Sequence, residues 1–165
     1  MKPRAAQAPS ILVVGLGNRH RGDDAVGLEV ARRLRGRAPG NCSVIEVEGD
    51  SLGVLDWWDG IDVAVVIDAV TSGAPPGALH RFDALARPLP GGLTGTSTHA
   101  IGLRELIELG HALGKIPRRM IVLGVEGQDF GIGAKLSPDC LASIGPAIEA
   151  ALEEIGCTSA PWPKT

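Results

Sequence analysis

The stretch DVAVVIDAV, residues 62–70, constrains the fold of this 165-residue chain more than any other. Residues 63–67 are apolar without a break, so an extended strand here must be covered on both faces. That is the mark of a central strand in a parallel sheet, with helices on either side. Asp68 interrupts the run near its C-terminal end. A carboxylate in such a place is costly unless it is hydrogen-bonded, paired or open to a cleft. Asp68 is therefore read as functional, the plainer alternative being a buried Asp bonded to loop N–H groups.

A second block, ILVVGLGNRHRGDDAVGLEVARRL at 11–34, has the same logic. Residues 11–14 form a buried strand, and Gly15 and Gly17 are read as a sharp turn. Gly27, Val30, Ala31 and Leu34 then repeat at helical spacing. The pair Asp23–Asp24 thus falls at a helix start, just past the C-terminal end of a strand, where open α/β sheets bind ligands. One cap needs one acid, so Asp23 is assigned the helix cap and Asp24 the cleft. A dinucleotide site is disfavoured. Its third glycine would fall at His20, and two carboxylates would face the phosphates.

The remaining chain supplies three more strands and three helices. SVIEV (43–47) alternates as a strand, and a short helix runs to about Trp58, with Leu52, Leu55 and Trp58 inward and the Trp57–Trp58 pair divided between rim and core. ALHRF (78–82) reads as a half-polar edge strand with His80 solvated, and RMIVLGVE (119–126) as another buried strand. Residues 86–98 have no period and are long for a loop, which suits a lid or substrate-binding segment. His99 is expected to open the next helix behind a Ser97 or Thr98 cap, with Leu103, Leu106, Ile107 and Leu113 buried; the dipole there favours neutral imidazole, the metal-binding form. The last helix starts at Ser137–Pro138 and buries Leu141, Ile144, Ile148, Ala151, Leu152 and Ile155.

Length and composition bound the rest. The chain is expected to be one domain over 11–156, with a disordered lead-in at 1–10 and a tail at 157–165. A domain of this size buries about 70% of its unfolded surface and needs no staples. The net charge of −3 comes without a basic block, which argues against nucleic acid. No apolar run is long enough for membrane insertion. The first ten residues lack the apolar core of a signal peptide. Three cysteines without a CxxC suit a cytoplasmic protein with reduced thiols.

Asp24, Asp68 and His99 each sit at a strand end or helix start, and one sheet edge can gather all three. Two carboxylates and an imidazole make a plausible open metal site. The blocks ILVVGLGNRHRGDDAVGLEV, VVIDAV, PPGAL, STHAIGL and LGVE with GAKLSPDC resemble the hydrogenase maturation endopeptidases. These trim the C-terminal extension from the large-subunit precursor of NiFe hydrogenases. The resemblance runs from about residue 11 to 155. It implies an α/β fold of three layers, α/β/α, with a mostly parallel five-stranded mixed sheet (phosphorylase/hydrolase-like).

It further implies an aspartyl-type endopeptidase whose nickel-contacting and catalytic positions are Asp24, Asp68 and His99. The nickel would be carried by the substrate, with no tightly bound resident cofactor, and the partner would be the hydrogenase large-subunit precursor. Two departures stand out. The second acid of the pair, Glu in some members, is Asp24 here, and Gly49–Asp50–Ser51 stands where members often show Gly-Gly-Thr. Three other readings stay open: a peptidyl-tRNA hydrolase-like enzyme, which would need a basic face; a nickel- or precursor-binding maturation factor that does not cut; and a nucleotide-binding domain.

Overall fold

The computed structural model describes residues 8–90, 94–95 and 102–156. The elements in chain order are β1 (Ile11–Gly17), a 3-10 turn (Gly22–Ala25), α1 (Val26–Leu34), a second 3-10 turn (Arg35–Arg37), β2 (Cys42–Glu48), α2 (Val54–Trp58), β3 (Val63–Thr71), β4 (Leu79–Asp83), β5 (Thr94–Gly95), α3 (Leu103–Leu113), β6 (Arg119–Glu126) and α4 (Pro138–Gly156). The sheet order is β2-β1-β3-β6-β4. β2, β1, β3 and β6 are parallel, and β4 runs antiparallel on the edge beside β6. This is the expected five-stranded mixed sheet. The two-residue β5, too short to leave a sequence signal, pairs antiparallel with Val70 and Thr71 at the end of β3.

The continuous apolar runs are buried on both faces, as their composition requires. On one face Val13, Val65, Ile67 and Ile121 pack with Val26, Val30 and Leu34 of α1 and Ile144 and Ile148 of α4. On the other, Leu12, Val14, Val66 and Val122 pack with Val54, Leu55 and Trp58 of α2 and Leu106 and Ile107 of α3. The three layers follow directly. Connections leave β1 and β3 toward opposite sides of the sheet, so the β1/β3 boundary is the switch point at which such sheets open a crevice.

Several sequence expectations are corrected. Leu52 and Leu141 are exposed, and Val54 and Cys140 are buried in their neighbourhoods instead. Leu113 is exposed, and Gly110 completes the buried face of α3. Gly102 is extended and caps α3, so that helix begins at Leu103, four residues after the expected His99. His99, Ser97 and Thr98 lie outside the described residues. So do 1–7 of the lead-in, the tail, and 91–93 and 96–98 of the expected lid. Ser10 is tied to the sheet: its N–H and hydroxyl both donate to Asp62 Oδ2, at 2.9 and 3.1 Å. Among the described residues no helix is long and apolar enough to cross a membrane.

Gly15 is no turn. It lies inside β1, and a Cβ there would stand 2.2 Å from the Gly27 carbonyl. Gly27, in the first turn of α1, makes the reciprocal approach: its Cβ would lie 2.4 Å from both the Ile67 and Leu16 carbonyls. Gly-to-Ala in a helix interior normally stabilises by up to about 1 kcal/mol. Here backbone lies on both sides and cannot yield, so Gly27→Ala is expected to destabilise by about 3 kcal/mol. A denaturant midpoint shift at unchanged m-value checks it.

Candidate active site

The site is built where α1 presses onto the ends of β1 and β3. After β1 the chain turns through Gly22–Ala25 and carries Asp24 back over the strand it has just left. The Asn18 N–H donates to the Asp24 carbonyl at 3.2 Å, and the Asp24 N–H to the Arg21 carbonyl at 3.0 Å. A Cβ on Gly17 would fall 1.9 Å from the Asp24 carbonyl oxygen. The second glycine of the GLGN block is thus what lets the acid-bearing turn sit down on the strand end. Asp24 ends up 1% exposed.

Asp68 comes from the neighbouring strand. It faces the α2/α3 side of the sheet in register with Gly124, where the polypeptide is about to leave β3, and is 3% exposed. Burial pushes its carboxyl up to about 7, and the nearby charge of Asp24 pushes the same way; a hydrogen bond from the Ala69 N–H only partly opposes them. Two acids from separate elements therefore share one low-dielectric site. The charge of Asp24 adds to burial in disfavouring the ionised form of Asp68. A carboxyl raised to neutrality at a switch point suits proton transfer or cation binding.

Asp23 does something other than cap the helix. Neither the 3-10 turn nor α1 has a side-chain cap. The Asp23 carboxylate, 0% exposed, turns away toward the loop after β6. Its Oδ2 accepts the N–H groups of Gln128 and Asp129, at 2.9 and 3.1 Å, and its Oδ1 that of Ser137 at 2.7 Å. Burial alone would raise this carboxyl, but the three backbone donors and the Ser137 hydroxyl outweigh it and leave it below its usual value. The acidic pair divides its work: one member faces the crevice, the other holds the adjoining loop.

One polar centre went unread in the sequence. Glu126, at the end of β6, is 2% exposed. Its Oε1 accepts the N–H groups of Ser72 and Gly73, at 2.7 and 3.0 Å. Its Oε2 accepts the Ser72 hydroxyl at 2.8 Å and lies 3.0 Å from His80 Nε2. His80, expected to be solvated, is instead partly buried against this carboxylate and stacked on Phe82. The signal was present: Glu126 ends an apolar strand just as Asp68 does. Among the described residues no three of His, Cys, Asp and Glu gather as a metal site. Of the expected set the structure thus brings together Asp24 and Asp68, while His99 lies outside the described residues.

Comparison with known proteins adds to this geometry. The family model described as hydrogenase maturation protease matches residues 28–154. The hydrogenase expression/formation protein HupD of Thiocapsa roseopersicina is 33% identical over 148 residues, which cover 88% of this chain and 67% of that protein. The hydrogenase 2 maturation protease of Escherichia coli is 27% identical over 159 residues, covering 92% of this chain and 95% of that one. Among solved structures, the hydrogenase maturating endopeptidase HybD of E. coli superposes with a TM-score of 0.77 at 23% identity, covering 90% of this chain and 93% of that chain. The NiFe hydrogenase maturation protease HybD from Thermococcus kodakarensis gives 0.73 at 26% identity, over 87% and 97%.

Proposed function

The chain belongs to the hydrogenase maturation protease family, and from that premise we propose that it is the endopeptidase that removes the C-terminal extension of a NiFe hydrogenase large-subunit precursor. Nickel already seated in the precursor is the feature it reads, through Asp24, Asp68 and His99, and the enzyme needs no tightly bound cofactor of its own. The observation that carries this is the pair Asp24 and Asp68, two buried acids from the turn after β1 and the end of β3 that feel each other's charge. Oxygen donors of this kind, joined by an imidazole, suit a borderline divalent metal. Such a metal polarises a neighbouring carbonyl or water. A carboxylate at the same site is the candidate base.

The partner is the large-subunit precursor, and the reaction is placed in the cytoplasm, a compartment that suits the free thiols of Cys42 and Cys140. Family membership leaves no room for the peptidyl-tRNA hydrolase and nucleotide-binding alternatives.

The test is a mass measurement. Precursor purified with and without nickel is incubated with wild-type enzyme and with Asp68→Ala. The expected result is loss of the extension only from nickel-loaded precursor and only with wild type. Equal cutting of the nickel-free form would remove the metal from the recognition step. Binding without any change of mass would leave a maturation factor that does not cut.

A further inference from the structure

The proposed function uses Asp24 and leaves open why its neighbour Asp23 is spent on a loop. Residues 127–137 form that loop, and it is anchored at many points to the short segment that precedes Asp24. Besides the three bonds into Asp23, the Asp23 N–H donates to the Asp129 carbonyl at 2.8 Å, the Gly22 N–H to the Ala134 carbonyl at 3.1 Å, and the Gly133 N–H to the His20 carbonyl at 2.7 Å. Arg21 Nε donates to the Phe130 carbonyl at 3.2 Å. Within the loop, the Gly131 N–H donates to Asp129 Oδ1 and the Ala134 N–H to the Gly131 carbonyl. The fit is close: a Cβ on Gly22 would stand 2.3 Å from the Asp129 carbonyl, and one on Gly127 would stand 2.4 Å from the Phe130 ring.

A loop held this firmly presents Ile132 at its tip, 89% exposed, between Gly131 and Gly133. A β-branched apolar side chain with few rotamers, displayed on a rigid backbone, loses little freedom when it is covered. Phe130, by contrast, turns back and packs on the core. The loop therefore turns Phe130 and Leu136 inward and leaves Ile132 outside. Rigidly presented loops next to a site are where recognition residues concentrate.

We infer that loop 127–137 is a preformed docking edge for the folded precursor, with Ile132 as its apolar anchor and Asp23 as the positioning residue that keeps this edge in register with Asp24. The choice of occupant rests on the proposed function and on continuity. The loop is bonded to residues 20, 21, 22 and 23, and the next residue is the site acid. A folded protein that offers its metal centre to Asp24 lies against this edge.

Two readouts on nickel-loaded precursor test it: affinity by calorimetry and steady-state cleavage. Ile132→Ser is expected to weaken binding and raise KM about tenfold, with kcat and Tm unchanged, and Ile132→Leu to restore both. Asp23→Asn is expected to weaken binding and lower kcat together, because the edge and Asp24 lose their register. Ile132→Ser within twofold of wild type in Kd and KM overturns the docking edge. Wild-type Kd and kcat in Asp23→Asn overturn the positioning role. If wild type binds the precursor but does not cut it, the proposed function fails and the calorimetric comparison still decides the edge. If wild type does not bind, both fall.

Discussion

Replacing Asp68 by Asn is expected to make the protein more stable and inactive in one step. Burial and the charge of Asp24 hold the Asp68 carboxyl at about 7 in the folded state, against 3.8 when exposed. A raised acid binds its proton more tightly folded than unfolded. Its contribution to stability is therefore complete below pH 3.8 and is lost as the pH climbs toward 7. That interval corresponds to about 4 kcal/mol of strain at neutral pH and above. Asn keeps the shape and cannot ionise, so the pH 8 Tm should rise by roughly 10 °C. The gain should shrink steadily as pH is lowered to 4. Cleavage of nickel-loaded precursor should fall by about 100-fold or more, since loss of even an outer contact to a metal costs up to that much. A Tm difference that does not change between pH 4 and 8 would show that Asp68 is ionised throughout.

That trade locates what the sequence was able to disclose. An unpaired acid at the end of an apolar strand is visible as a violation of pattern, so Asp68 was legible without coordinates. The same holds for the layers: two uninterrupted apolar runs demanded a doubly covered parallel sheet. Asp24 was legible only as half of a pair, and the pair's division of labour was assigned by capping habit. Asp23 went instead to a loop more than a hundred residues away in sequence, a contact no local rule encodes. Gly15 was misread for a related reason. Glycine in a sequence signals missing bulk, and only packing tells whether the room is used for a turn or, as here, for α1 to lie on β1. The start of α3 was misplaced because Gly102, a poor side-chain cap, marks the boundary with its backbone alone.

Glu126 shows the opposite pH behaviour to Asp68, and Glu126→Leu is expected to be the most damaging single substitution at the C-terminal edge of the sheet, where Glu126 lies two positions beyond the partner of Asp68. Burial alone would raise this carboxyl. The Ser72 N–H and hydroxyl, His80 and the Gly73 N–H outweigh burial and hold it below its usual 4.5. A depressed acid stabilises the fold above its unfolded value, and that stability is lost as pH falls below about 4.5 toward the folded one. With Leu, two backbone N–H groups, a hydroxyl and His80 lose their acceptor in one place, so a loss of about 3–5 kcal/mol is expected. Glu126→Gln separates charge from hydrogen bonding. Its remaining oxygen can still take the Ser72 and Gly73 N–H groups, now held by Oε1. It should cost about 1 kcal/mol at pH 7. It should also flatten the acid limb of the stability curve, because the charge that titrates there is gone. Since Asp68 favours low pH and Glu126 opposes it, wild-type stability should peak at about pH 4, where the loss at Asp68 above 3.8 meets the loss at Glu126 below 4.5. Asp68→Asn should move that peak upward, and Glu126→Gln should move it downward. Tm measured from pH 3 to 9 on the three proteins checks both shifts. A peak that stays in place in either variant would mean that the corresponding carboxylate does not shape the curve.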